Sequence, residues 1–203
     1  MKLLYAQTSP YVRKVLVVAH ETGQADAIER VPAAALPTER NPETVAHNPL
    51  GKIPTLITAE GAALFDSRVI CEYLDARSAG PRLFPAGEAR WDALARQALA
   101  DGLLDAALLT RYERVMRPEA LRWEAWEAGQ LAKIAGALDR IEADLPRVRD
   151  RLDIGTVATA CALGYLDFRF PDLGWRAGRP GAAAWYAEFG QRPSMQGTAP
   201  PQG

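Results

Sequence analysis

The hydrophobic spacing of this chain changes character near residue 79, and that change limits the folds open to it. Before it, short apolar runs alternate with helical spacing. Leu3, Leu4 and Tyr5 read as a first strand. Thr8-Ser9-Pro10 is a helix start, with Pro10 suited to the first helical position. Val12, Val15, Leu16 and Ala19 follow at helical spacing, and Gly23 is a natural stop. Ile28 to Val31 reads as a second strand. Residues 32–54 carry five prolines and read as loop with one short helix near 39–46. Thr55–Thr58 and Ala62–Phe65 flank Glu60-Gly61 as a hairpin, and Asp66-Ser67 opens a helix through Val69, Ile70, Tyr73 and Leu74. The order β-α-β-α-β-β-α suits a small mixed sheet with helices packed on it.

Residues 79–87, with Gly80, Pro81, Pro85 and Gly87, read as a linker between a domain at 1–78 and a second at 88–203. The second shows helical periods only. Trp91, Leu94, Ala95, Ala98 and Leu99 share one face. Leu131, Ile134, Leu138, Ile141 and Leu145 alternate spacings of three and four. Ile154 to Leu166 is apolar all round, which predicts a helix at the middle of a bundle with Asp153 as N-cap. Thr198-Ala199-Pro200-Pro201 reads as a loose terminus.

The formal net charge is −1, which argues against a general nucleic-acid binder. The N-terminus lacks the apolar region of a secretory signal. The longest apolar run falls short of the ~20 residues a membrane helix needs. The reading is therefore a cytoplasmic chain with no nucleic-acid or membrane partner. Two cysteines do not make a disulfide scaffold. Cys71 and Cys161 lie in apolar stretches and read as buried small hydrophobes. His20 reads as helical, His47 as loop. No His/Cys/Asp spacing suggests a metal site. Trp123 and Trp126 read as packing residues.

Three segments then stand out: Thr8-Ser9-Pro10-Tyr11-Val12-Arg13-Lys14, Asn48-Pro49-Leu50-Gly51-Lys52-Ile53-Pro54-Thr55-Leu56, and Phe65-Asp66-Ser67-Arg68-Val69-Ile70. With these at these spacings, and with Arg192-Pro193-Ser194 near the end, the chain resembles the bacterial cytosolic glutathione transferases. The resemblance implies a thioredoxin-like N-terminal domain, an all-helical C-terminal domain and a homodimer. It implies glutathione as co-substrate, no metal, and conjugation of the glutathione thiolate to a small hydrophobic electrophile. A fold hosts many functions, so two alternatives stay open. One is a non-catalytic interaction protein; the other is a glutathione-dependent peroxidase or thiol reductase.

A free thiol titrates near ~8.5. Lowering that by about two units takes on the order of 2.7 kcal/mol. A hydroxyl donor and a helix N-terminus are suitable means. Ser9 supplies both, although a serine before proline is also an ordinary N-cap. Tyr5, late in the first strand, is the other candidate activator, and it also reads as a half-buried strand aromatic. In the family the bond at Ile53-Pro54 is cis, which turns the Ile53 backbone outward to pair with the cysteinyl backbone of glutathione. Lys52 is placed for the glycyl carboxylate, or is a solvated lysine. The resemblance gives Ser67 the γ-glutamyl carboxylate and Asp66 the ammonium group, compatible with their capping of the next helix. For the electrophile it implies a pocket with Tyr11, Leu104, Leu108 and Tyr112, each of which also fits plain core packing. It also makes Asp101 a candidate to reach the glutathione of a second subunit. Finally, the bundle-centre helix departs from the family: Asp153-Ile154-Gly155-Thr156 inverts the usual order of its capping box, and the cap is expected to survive.

Overall fold

The computed structural model describes residues 1–201. The chain divides into two compact units, Met1–Ala86 with the stretch from Arg192 on, and Gly87–Gln191.

In the first unit, β1 (Lys2–Tyr5) leads to α1 (Pro10–Glu21), β2 (Glu29–Pro32), α2 (Pro42–His47), β3 (Thr55–Ile57), β4 (Ala63–Leu64) and α3 (Ser67–Arg77). The sheet order is β2-β1-β3-β4. β1 and β2 are parallel, so a crossover must join them, and α1 is that crossover. β1–β3 and β3–β4 are antiparallel, with Leu4 opposite Thr55 and Leu56 opposite Leu64. Leu3, Leu56, Val15, Val17, Ile70 and Leu74 form the core. α1 packs on α3, and α3 on β3. His47 closes α2 rather than lying in a loop.

The stretch read as a linker is tied down. Leu83 and Phe84 are buried. The Leu83 N–H donates to the buried Asp75 carboxylate at 2.5 Å, and Arg82 donates to the Asp75 carbonyl. The residues read as a loose terminus are also held. α8 (Pro193–Gln196) packs on α1, and buried Thr198 donates to the Ser194 carbonyl at 2.7 Å. The Arg13 guanidinium reaches the Met195 carbonyl at 3.1 Å. Glu21 accepts twice from Arg192, at 2.8 Å each, and once from the Ser194 hydroxyl at 2.5 Å.

The second unit is helical: α4 (Glu88–Val115), α5 (Glu124–Val148), α6 (Ile154–Arg169) and α7 (Pro180–Phe189). α6 is buried on every side from Ile154 to Leu166, as its apolar composition requires, and packs chiefly on α4. Its cap is a capping box: Thr156 N–H donates to Asp153 Oδ1 and Asp153 N–H to the Thr156 hydroxyl, both at 3.0 Å. Inverting the residue order preserves both bonds, because each side chain carries an acceptor. The α5 stripe faces inward as expected, with Ile134, Leu138, Ile141 and Leu145 buried.

One expectation fails here, and the α4 stripe is only partly turned inward: Trp91, Ala95 and Ala98 are exposed, Leu94 and Leu99 half-buried. The buried side carries Ala93, Arg96, Gln97, Ala100, Leu103 and Leu104, and Trp91 is exposed. Small residues are needed where α6 approaches, and Arg96 is neutralised by Asp153 at 2.6 Å. Trp123 and Trp126 are also exposed, and stack on each other at 6.4 Å instead of packing inside. Among the described residues no helix is long and apolar enough to cross a membrane, and no group of three or more His, Cys, Asp or Glu side chains could hold a metal. Cys71 and Cys161 are free and buried.

Candidate functional site

The sheet register gathers three segments at one end of the first unit. β1 ends at Tyr5, beside the start of β3, because Leu4 faces Thr55. β4 runs antiparallel to β3 and ends at that same side. The loop carrying Ser9, the turn carrying Ile53-Pro54 and the start of α3 therefore leave the sheet at a common edge.

Ser9 is the N-cap of α1, with Pro10 in the first helical position. Its hydroxyl oxygen accepts from the Val12 N–H at 3.3 Å, and its own N–H donates to the Ala6 carbonyl at 3.0 Å. Accepting leaves the hydroxyl proton to be donated outward, so capping and thiol activation are compatible in one side chain. Tyr5 is half-buried in β1, and its carbonyl accepts from the Ala33 N–H at 2.9 Å. Tyr11 is half-buried on α1. Lys14, fully buried, stands 5.9 Å from the Tyr11 ring centre.

The Ile53-Pro54 bond is cis. Pro54 is buried, Ile53 half-buried and Lys52 exposed. Among the described residues the Ile53 N–H and C=O have no hydrogen-bond partner. The neighbouring Lys52 carbonyl is held twice, by Asn48 Nδ2 at 3.0 Å and by the Thr55 hydroxyl at 2.9 Å. Asn48 Nδ2 also reaches Thr55 Oγ1 at 3.0 Å, and Asn48 Oδ1 takes the Leu50 N–H at 3.0 Å. Asn48 is 1% exposed. It is a positioning residue whose role the sequence did not reveal, since Asn-Pro reads locally as an ordinary turn.

The Phe65-Asp66 bond is also cis. Asp66 caps α3, accepting from the Arg68 N–H at 2.9 Å. Ser67 is buried in the first turn, where helix amides suit an anion.

In the second unit, Leu104 is fully buried, and Leu108 and Tyr112 are half-buried one turn apart on α4. Asp101 is buried rather than at the surface. Burial raises the Tyr112 phenol. On α6, burial pushes Tyr165 up to about 12. Arg111 and Arg169 oppose that rise in Tyr165, and burial, then Arg111, lowers Arg169. None of Arg111, Tyr165 and Arg169 stood out in the sequence. The only signal was the spacing of four between Tyr165 and Arg169.

Comparison with known proteins agrees with this arrangement. The family model described as "Glutathione S-transferase, N-terminal domain" matches residues 8–77, and that for the C-terminal domain matches residues 124–188. The chain is 35% identical over 206 residues to the uncharacterized GST-like protein YibF of Escherichia coli K12, covering 100% of both. A glutathione transferase family member from Pseudomonas fluorescens Pf-5 with bound glutathione superposes with a TM-score of 0.97 at 47% identity, over 99% of each chain. A second structure from that organism, with bound S-(propanoic acid)-glutathione, gives 0.92 at 46% identity over 100% of each chain. Three segments at one sheet edge, a helical second unit and relatives that match from end to end lead to one assignment: the chain belongs to the glutathione S-transferase family.

Proposed function

We propose that this protein is a glutathione transferase that stabilises the glutathione thiolate with Ser9 and conjugates it to a small electrophile. The observation that carries the reading is the Ser9 hydroxyl, which accepts from its own helix start and keeps a proton to give. The α1 N-terminus adds favourable potential for a negative sulfur. The unpaired Ile53 backbone suits strand-like pairing with the cysteinyl residue. Ser67 and Asp66 take the γ-glutamyl end, and Lys52 takes the glycyl carboxylate. The electrophile is assigned to the half-buried Tyr11, Leu108 and Tyr112, while Leu104, with no exposed surface, packs beneath. The similar Pseudomonas protein, whose structures hold glutathione in one case and S-(propanoic acid)-glutathione in the other, supports both the ligand and a thioether product. The reading includes a homodimer in the cytoplasm and no metal.

The test is an ultraviolet difference titration of bound glutathione against pH, on wild type and Ser9→Ala. A thiolate signal with depressed pKa that is lost in the variant is expected. A depressed pKa that survives moves the activating role to Tyr5. Binding with an ordinary thiol pKa favours a non-catalytic interaction protein. Turnover of a hydroperoxide in preference to an aryl halide would make it a peroxidase.

A further inference from the structure

In the first unit a buried cation lacks a carboxylate partner. Arg13, on α1, is 9% exposed. Among the described residues its guanidinium makes one hydrogen bond, from Nη2 to the Met195 carbonyl at 3.1 Å, and no carboxylate stands at ion-pair distance. Its Nε is buried without a partner. The elements packed on α1 are α3, α8 and the short helix Ala25–Ala27, and the acidic residues of this group are engaged or exposed. Glu21 holds Arg192 and the Ser194 hydroxyl. Asp75 on α3 holds the Leu83 N–H and Arg82. Asp26 and Glu72 are exposed. Lys14, the next residue, is a second cation and is fully buried.

Arg13 stands one turn beyond Ser9. Its N–H donates to the Ser9 carbonyl at 3.0 Å. Residues four apart share a helix face, and their levels differ by about 6 Å along the axis. The first turn of α1 has no acidic residue, so no carboxylate there opposes the field. A charge buried in protein is felt beyond contact distance, because the interior screens it far less than water does. Lys52, Asp66 and Arg68, the charged side chains at the other two segments of the edge, are exposed, and water weakens them. An anion held at Ser9 therefore offsets the desolvation that Arg13 otherwise bears. The Met195 carbonyl keeps the guanidinium inside the unit, and the Glu21–Arg192 clasp keeps that carbonyl in place.

We propose that Arg13 is an electrostatic residue of the thiol site, whose buried charge stabilises an anion at the sulfur position beside Ser9. For the ligand, this rests on the transferase reading above. Arg13 acts through its field and not by contact, so it is a positioning residue for charge and not a catalytic one. It and Ser9 divide the task. The hydroxyl gives one directed hydrogen bond, and the guanidinium gives an undirected attraction that adds to the α1 dipole.

The test is calorimetry with two analogues. Glutathione sulfonate carries a fixed negative charge at the sulfur position, and S-methylglutathione is uncharged there. The ratio of their affinities reads charge at that position and cancels any loss common to the tripeptide. Arg13→Gln, which can still donate to the Met195 carbonyl, and Arg13→Met should each shift that ratio against the sulfonate by about tenfold, one pKa unit of differential interaction. Arg13→Lys should keep most of the wild-type ratio. A merely structural arginine would lower thermal stability and leave the ratio alone. A ratio unchanged in the neutral variants therefore overturns the proposal, as does a loss in Arg13→Lys as large as in Arg13→Gln. If the neutral variants do not fold, Arg192→Gln replaces them: loosening α8 lets the guanidinium reach water, and an unchanged ratio again overturns the proposal. Turnover separates the two readings. A wild type whose ratio depends on Arg13 but which conjugates no aryl halide removes the transferase reading and keeps the proposal. Conjugation with a ratio indifferent to Arg13 does the reverse, and binding of neither analogue by wild type removes both.

Discussion

Asn48 shows how much of a binding edge can depend on a residue that touches no ligand. Its side chain makes three hydrogen bonds, to the Lys52 carbonyl, the Thr55 hydroxyl and the Leu50 N–H. Together they hold the turn from which Ile53 presents its backbone. Asn48→Ala should cost about 2–3 kcal/mol, since buried partners are left unsatisfied. It should also weaken glutathione binding while leaving the pKa of the bound thiol depressed. Thermal denaturation reads the first effect and the ultraviolet titration the second; a thiol pKa that returned to its free value would mean Asn48 acts on the sulfur instead. At this scale the caps were legible. Ser9, Asp66 and Asp153 stand before helical spacing, and each caps the helix it precedes. Asn48 was not legible, because its partners are backbone groups and a threonine brought near only by the turn itself.

At the scale of elements, the contact between α4 and α6 sets the helical unit. Gly155 lets the helices approach: a Cβ there would lie 2.8 Å from the Ala93 carbonyl oxygen and 2.8 Å from Arg96 Cβ. Gly155→Ala should destabilise by about 2–3 kcal/mol through overpacking, seen as a lower denaturant midpoint with unchanged slope. Asp153 serves the same contact by capping α6 and neutralising buried Arg96. Asp153→Ala should cost about 3–5 kcal/mol, because it strands a buried charge, and Asp153→Asn should recover the cap but not the charge. Chemical denaturation of the two variants separates these contributions; equal losses would mean the cap contributes nothing beyond the charge pairing. Element order was legible because period and punctuation agree: Pro10, Pro42, the Glu60-Gly61 turn and the capping residues fall where the structure changes. The facing of α4 was not. Its apolar stripe at Trp91, Leu94 and Leu99 does not name the buried side, which carries alanines, Leu103, Leu104 and a paired arginine. Hydrophobic spacing says nothing of how closely a partner helix must approach or of an aspartate 57 residues away.

At the scale of the whole molecule, Glu21 joins the stretch from Arg192 to α1. Its carboxyl is held below the ordinary range, chiefly by the hydrogen bond from Arg192 and also by Ser194, against the opposing effect of burial. A depressed carboxyl contributes stability that is present above its unfolded pKa and is lost as pH falls through the folded one. Amide exchange protection in α8 should therefore fall on acidification, and Glu21→Gln should remove that pH step. Protection that is independent of pH in wild type would show that the pair does not hold α8. Asp92 behaves alike: Arg147 and Arg96 keep it near about 2, so its contribution fades only in stronger acid. The two-part organisation was visible in the change of period near residue 79, but the return of the chain to α1 was not, because nothing local in Arg192-Pro193-Ser194 names a partner 171 residues back.

That return makes the unit bearing Ser9 discontinuous, and the discontinuity has a consequence during synthesis. The ribosome delivers β1 to α3 first, then the whole helical unit, and only then the segment that clamps α1. The glutathione-binding half is therefore finished after its neighbour, although it begins before it. A chain halted anywhere between Gly87 and Gln191 carries every residue proposed to hold glutathione, yet lacks the clasp on the helix that presents Ser9. Competence of the site is therefore expected only after Arg192 and Ser194 have been added to the chain.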